Sequence, residues 1–543
     1  MARSFTVARI AVLAFLAAAP LAAQAPITTA EIDGHLRFLS SDLLEGRAPA
    51  SRGGRLTEEY LANQLRSFGV APAVNGTYFQ RVPIDIVGLR RESLRANASG
   101  KATATLRYPD DVVMWAGSST TASAAKAPVV FVGYGAAAPE FNWDDFKNVD
   151  VRGRILLILV NDPPATTSEP ALFGAQAMTY YGRWTYKFEE AERRGAVGAL
   201  IVHNTERAGY GWATVTGSWA KEQRMLPRDP KLPAPLGVRG WITESATESL
   251  LRQAGLDLAA LRRQAESRSF RPVETGITLD LAFTNSVANL ESQNVIGVIE
   301  GSDAEAKREH VLLSAHWDHL GIGPVVNGDS IYNGAEDNAS GTADLLAIAR
   351  QLAQGPRPKR SVLIAFVTAE ESGLLGSEFL GLNPVVPTED LVANLNVDGG
   401  NVLGETRDLA VLGDSKSSLG PSLARLIEPR GMRISPDANP ERGYFYRSDH
   451  FSLAKVGVPS ASIGAGEDFV GRPREWGHAQ SEDYTERRYH QVTDEYEASW
   501  DLRGAVQLST IVLEFTRQLA NSREWPTWNR DAEFKRAARK PAM

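Results

Sequence analysis

The stretch "VTAEESG" (367–373) closes the run "SVLIAFVTAEESGLLGS". Its first part, "SVLIAFVT", reads as a fully buried strand. Glu370 and Glu371 follow at once. Adjacent glutamates on a helix are usually solvated charge, but two carboxylates ending a buried strand need something to hold them. Four more clusters carry related groups: "SAHWDHLG" (His316, Asp318, His319), "YNGAEDNASG" (Glu336, Asp337), "NVDGG" (Asp398) and "RRYHQVTDEY" (His490). Imidazole and carboxylate ligands without sulfur suit a hydrolytic zinc site. Two metals about 3.5–4 Å apart need a shared carboxylate between them. One bridging aspartate, two terminal ligands per metal and one spare carboxylate as base would use such a set. Adjacent residues at a strand end point in different directions. One glutamate can then bind metal while its neighbour faces a bridging water and moves its proton.

Taken singly, each piece is weak. An aspartate that closes a strand more often caps the next helix than binds metal, and Asp337 alone reads that way. His490 alone is more often a packing or surface histidine. "HWDH" has a metal-ligand spacing, but a lone match leaves both readings open. The chain has only eight histidines, so it is the joint pattern that carries weight.

The elements that must position these residues form an α/β series. "EHVLLSAHWDHLG", "RSVLIAFVTAEESG", "LVANLNVDGG" and "GVPSASIGAG" read as strands, with "GTADLLAIARQLAQG" as an amphipathic helix between the first two. Alternation of this kind predicts a mostly parallel sheet with helices on both faces. Ligands of such sheets bind outside the carboxyl ends of the strands, where each polar cluster falls. Upstream, "TAEIDGHLRFLSSDLLEG" and "RLTEEYLANQLRSFGV" read as amphipathic helices, the first capped by Thr28 or Thr29. Between about 110 and 275 the character changes. "APVVFVGYG", "GRILLILVND" and "VGALIVHN" look like buried strands and "YKFEEAERRGA" like a helix, which suggests a smaller β-rich α/β module.

The whole chain agrees with an exported globular protein. It has 543 residues, 43% hydrophobic and 23% charged, and no cysteine. That composition is ordinary for a folded soluble chain, and it leaves His, Asp and Glu as the only metal ligands. Residues 1–25 have Arg3 and Arg9, an apolar run from Ile10 to Leu21, and Ala23-Gln24-Ala25. This is the form of a cleavable signal peptide. The apolar run is too short to span a bilayer, so no membrane partner is expected after cleavage. The formal charge is −7, and −9 without Arg3 and Arg9, which argues against nucleic acid as a partner. The tail after about residue 520 is charged and reads as loosely packed.

The order His-x-Asp, Asp, Glu-Glu, Asp, His resembles the zinc-dependent exopeptidases of the bacterial leucyl aminopeptidase type, with their glutamate carboxypeptidase relatives. "LLEGRAPASRGGRLTEEYLANQLRSFGVAP", "NVIGVIEG", "AHWDHLG", "YNGAEDNASG", "TAEESGLLGS", "NVDGG" and "YHQVTDEY" look like the successive motifs of that family. The resemblance implies the zinc exopeptidase fold over 26–110 and 276–520, a protease-associated insert at 111–275, and a tail at 521–543. It implies two zinc ions per chain and a peptide substrate. The first zinc would take His316, Asp337 and Asp398. The second would take Asp337, Glu371 and His490, with Asp337 as the bridge. Glu370 would be the general base, and Asp318 a carboxylate orienting His316. Tyr489 matches a position that helps stabilise the oxyanion in some relatives. In relatives the peptide after the bridging aspartate is cis, which would be Asp337–Asn338 here.

In the aminopeptidases of this group the free amino end lies near the metals, where Asp398 and Glu370 would both hold it. His319 and Glu336 read as pocket wall or as partners behind the ligands. "YFYRSDHFSLAKVGVPS", with Arg447, Asp449 and His450, resembles a stretch that borders the substrate pocket; a helix cap by Ser448 or Asp449 is the structural alternative. Trp476 and His478 are placed on a rim.

The reading is therefore a periplasmic or secreted di-zinc aminopeptidase. A carboxypeptidase of the glutamate-releasing kind would need a cationic clamp, for which Arg447 is the candidate. A non-catalytic binding protein on the same fold would not need all five ligand positions and the base. A single-zinc cyclase would not need the full bridging set.

Overall fold

The computed structural model describes residues 25–536. The signal peptide read at residues 1–25 lies, but for its last residue, outside the described residues. The chain enters through helices α1 (Thr29–Leu39) and α2 (Arg52–Phe68). Thr28 caps α1 by accepting the Glu31 amide, and Ser51 caps α2 by accepting the Gly54 amide. Strands β1 (Phe79–Gly100), β2 (Val112–Trp115), β3 (Ala122–Phe131) and β4 (Ile155–Leu159) follow. Next come helix α3 (Trp184–Arg193) and strands β5 (Gly198–His203), β6 (Val238–Thr243) and β7 (Val273–Ile299). The last part holds β8 (His310–His316), α4 (Gly341–Gln354), β9 (Ser361–Val367), β10 (Leu391–Asn396), β11 (Asp408–Leu412), β12 (Arg433–Ser435), β13 (Ser460–Ala465) and α5 (Arg503–Asn521).

Among the described residues, one 16-stranded sheet has a twelve-strand path in the order β12-β11-β13-β10-β8-β9-β7-β3-β4-β5-β6-β2, with β1 and three short strands off that path. Strands β9, β8, β10 and β13 are mutually parallel, as the alternation of strands and helices predicts. Their carboxyl ends share one edge. Side chains of β9 alternate between two cores, as the period of two requires. Val362, Ile364 and Phe366 join the core under α1, α2, α4 and α5, while Leu363, Ala365 and Val367 face the other layer. Strands β3, β4, β5 and β6 continue the sheet as a second parallel set, with cores of their own on both faces.

Three features differ from the sequence reading. Strands β1 and β7 are long and are not among the segments that read as strands in the sequence. They pair antiparallel from Ile277–Gly100 to Val295–Phe79 and carry the sheet from one strand set to the other. The alternation of buried Ile277, Leu279, Leu281 and Phe283 was the signal for β7. Helix α4 is buried nearly all round rather than amphipathic, because it packs against α1, α2, α5 and the sheet.

The tail is packed as far as the structure describes it. Phe534 joins an aromatic cluster with Tyr180, Tyr446 and Phe451. Glu533 accepts from Lys416 at 3.0 Å and from the Tyr446 hydroxyl at 2.5 Å. A charge that finds a buried cationic partner reads as solvent-facing in sequence and is not. No helix among the described residues is long and apolar enough to cross a membrane.

Asp344 is fully buried within α4, and burial holds its carboxyl well above its ordinary range, against the pull of Ser509. A raised folded pKa means that stability is complete below the unfolded value, about 4, and falls as pH rises through it toward the folded value. Asp344→Asn is expected to stabilise the fold near pH 7 by about 1–3 kcal/mol of relieved desolvation, seen as a higher thermal midpoint, and to give no gain below about pH 4. Thermal scans across pH check this.

Candidate metal centre and proton-transfer site

The site lies at the carboxyl ends of β8, β9 and β10. His316 is the last residue of β8, and its Nε2 sits 3.2 Å from Asp337 Oδ1 and 3.2 Å from Asp398 Oδ1. His316 Nδ1 lies 3.2 Å from the Asp318 backbone carbonyl. A carbonyl can only accept, so that contact puts the proton on Nδ1 and turns the Nε2 lone pair toward the two carboxylates. The Asp318 carboxylate also faces Nδ1, at 3.8 Å, and accepts the Glu370 amide at 3.1 Å.

Glu370 and Glu371 do not end the strand itself. They sit in a turn just beyond β9, after Ala369 at φ 55°, and the Glu370 carbonyl accepts the amides of Gly373 and Leu374. That turn separates the two side chains. Glu371 Oε2 lies 2.9 Å from His490 Nε2, and Oε1 lies 2.7 Å from His319 Nδ1. His490 Nε2 is also 3.4 Å from Asp337 Oδ2. Asp337 therefore faces His316 with one oxygen and His490 with the other. Tyr489 is partly exposed and stacks on the His490 ring at 3.9 Å.

Two groups of side chains converge closely enough to hold a cation: His316, Asp337 and Asp398, and His319, Asp337 and Glu371. The residues fit a metal. His319 Nδ1 and Nε2, Glu371 Oε1 and His490 Nε2 are all buried without a hydrogen-bond partner. Such atoms are costly unless something binds them. Glu370 belongs to neither group.

The electrostatics follow from crowding. Burial pushes the Glu370 carboxyl well above its ordinary value and outweighs His316, with Glu371 and Asp398 adding to the rise. Burial likewise raises Asp318 to about 6 against the pull of His316. For His316, burial works downward, but Asp398 and Glu370 win and raise it well above its usual range. A cation among these groups would lower the carboxyl values and take the place of the imidazole proton.

Several residues that hold the site were not singled out from sequence. Asp494 accepts the amides of Glu336 at 2.9 Å and Asp337 at 3.1 Å, one on each oxygen. Asn338 accepts the Gly341 amide at 3.0 Å and the Gly399 amide at 2.8 Å, which ties Asp337 to the loop bearing Asp398. The Asp337–Asn338 peptide is cis. Arg47, fully buried, donates to the carbonyls of Trp317, Leu39, Asn333 and Gly334 at 2.6–2.9 Å. Glu336 is raised to about 8 by burial and by Asp494 beside it. His450 is buried and lowered to about 4 by burial, against the field of Asp398. Arg447 is exposed and lies over the Tyr444 ring at 5.5 Å. Trp476 and His478 open a helix at residues 476–487, with His478 exposed beside Glu467 and Glu482.

Residues 294–516 match the sequence profile of Peptidase family M28. This stretch carries both donor groups. Among curated proteins, the chain is 29% identical over 38% of its length to a probable glutamate carboxypeptidase, AMP1 of Arabidopsis thaliana, covering 31% of that relative. It is 27% identical to aminopeptidase YwaD of Bacillus subtilis, over 45% of this chain and 39% of the relative. The chain thus spans less than half the length of these two relatives. Among solved structures, an aminopeptidase from Aneurinibacillus sp. strain AM-1 superposes with a TM-score of 0.46 at 18% identity, covering 92% of this chain and 95% of that one.

Asp494→Asn puts an amide NH2 against the N–H of Glu336 or Asp337 and leaves a buried donor unpaired. The expected cost is about 1–3 kcal/mol, read as a lower unfolding temperature by calorimetry.

Proposed function

We propose that this chain is an exported di-zinc aminopeptidase that removes N-terminal residues from peptides. In this reading the leader at residues 1–25 directs it to the periplasm or the exterior and is removed, and residues 111–275 form a protease-associated insert. The observation that carries the reading is the arrangement around Asp337. Two donor groups share this one carboxylate, and Glu370, held by Asp318 through its amide, stands beside both without joining either.

His316 and Asp398 would hold one zinc, Glu371 and His490 the other, and Asp337 both. When bound, the pair would polarise the scissile carbonyl and make a water more acidic. The remaining work falls to the protein. Glu370 takes a proton from the attacking water and gives it to the departing amine nitrogen, so it starts and ends ionised. Asp398 and Glu370 together present negative charge to a substrate ammonium, which favours a free amino end. The Tyr489 hydroxyl lies in the field of Asp337, Glu371 and Glu370, where it can donate to a developing oxyanion.

The test is hydrolysis of aminoacyl-anilides beside N-blocked dipeptides with a free carboxylate, with zinc counted per chain. The expected result is cleavage of free-amine substrates only, with two zincs. Glu370→Gln is expected to keep both zincs and to lose about 10²–10⁴-fold in kcat. Cleavage of the N-blocked set would move the assignment to a carboxypeptidase with Arg447 as the clamp. No zinc and no cleavage would leave a binding protein.

A further inference from the structure

His319 is a buried histidine beside both donor groups that the five-ligand scheme leaves without work. Its side chain is fully buried. Its Nδ1 stands 2.7 Å from Glu371 Oε1, yet neither atom forms a hydrogen bond, and Nε2 has no partner either. Two polar atoms that close, both buried and both unsatisfied, need a third party. A donor atom of His319 lies with one from Asp337 and one from Glu371 in a single group within 4.8 Å. His490 reaches the same Glu371 from its other oxygen, at 2.9 Å. The two imidazole rings meet at 5.7 Å and 72° across that carboxylate.

The ring is also held in place. Gly334, at φ +56°, lets the backbone run against it; a Cβ there would come within 2.4 Å of the His319 ring. The His319 amide points at the Arg47 carbonyl, and Arg47 in turn grips the Gly334 carbonyl. A histidine fixed this way loses little freedom on binding, which is how a ligand is pre-organised.

Resting on the di-zinc reading above, we propose that His319 Nδ1 is an additional donor to the second metal position. That position then has His319, His490, Glu371 and the bridging Asp337. The first has His316, Asp398 and the bridge. The two positions therefore differ: the second is richer in nitrogen, which favours zinc or cobalt over manganese or magnesium.

The experiment uses cobalt(II) in place of zinc and counts strongly shifted, solvent-exchangeable imidazole N–H signals by paramagnetic proton NMR. Each coordinated neutral histidine contributes one, from its unbound nitrogen. Three signals are expected in the fully loaded wild type and two in His319→Ala. His319→Ala is also expected to surrender one of its two zincs at a chelator concentration that leaves the wild type loaded. The wild-type count stands even where the variant does not fold. Two cobalts with only two signals would overturn the proposal and leave His319 a positioning residue against Glu371, with the di-zinc reading intact. A wild type that takes up no metal would instead overturn the reading on which it rests.

Discussion

Six carboxylates, those of Asp318, Asp337, Glu370, Glu371, Asp398 and Asp449, lie in one another's field with a small number of imidazoles. Burial makes each charge costly, and each raises the price of its neighbours. The rest of the structure is arranged to make this crowding tolerable. Asp337 is the centre of the solution, since its two oxygens face different histidines and its carboxyl is held well below the usual range. Burial opposes that shift, and the contacts with His316 and His490 overcome it. Glu370, with no such imidazole contact, is driven the other way. Two neighbouring types of carboxylate thus have opposite proton affinities in one site, the condition that separates a ligand from a proton carrier.

Precision comes from the main chain around these groups. Parallel strands deliver His316, Glu370–Glu371 and Asp398 to one edge, but their loops must be fixed relative to one another. Arg47 does this from outside the sheet, joining the loop after β8 to the segment that leads into Asp337. Asp494 and Asn338 hold the backbone on either side of the Asp337–Asn338 peptide. Each of these residues bonds to two or more backbone groups, so removing one leaves several buried atoms without partners.

The residues between the long strands are joined to the part of the fold that carries the site at defined points. Arg224 donates to Ser372, one residue beyond Glu371. Lys455 pairs with Glu189 at 2.8 Å. Tyr180, also between the long strands, packs with Tyr446, Phe451 and Phe534, so the chain's final described segment is part of the same aromatic cluster. Residues that border the site are in this way buttressed by distant parts of the sequence.

The sequence by itself determined the inner strands, the helix between β8 and β9, and the polar clusters at the strand ends. It could do so because burial imposes a period and a composition on local segments, and because carboxylate and imidazole side chains are rare beside buried strands. The His-x-Asp, Asp, Glu-Glu, Asp, His order was legible for the same reason. Only the tertiary structure decided how those groups face one another. It gave Asp318 to the Glu370 amide, brought His319 onto Glu371, and placed Arg47 and Asp494 behind the site. It also buried α4 on all sides and packed the charged tail. None of these has a local signature: each depends on which surface a residue meets across the fold, and a hydrogen bond between residues 270 or more positions apart leaves no period in the chain.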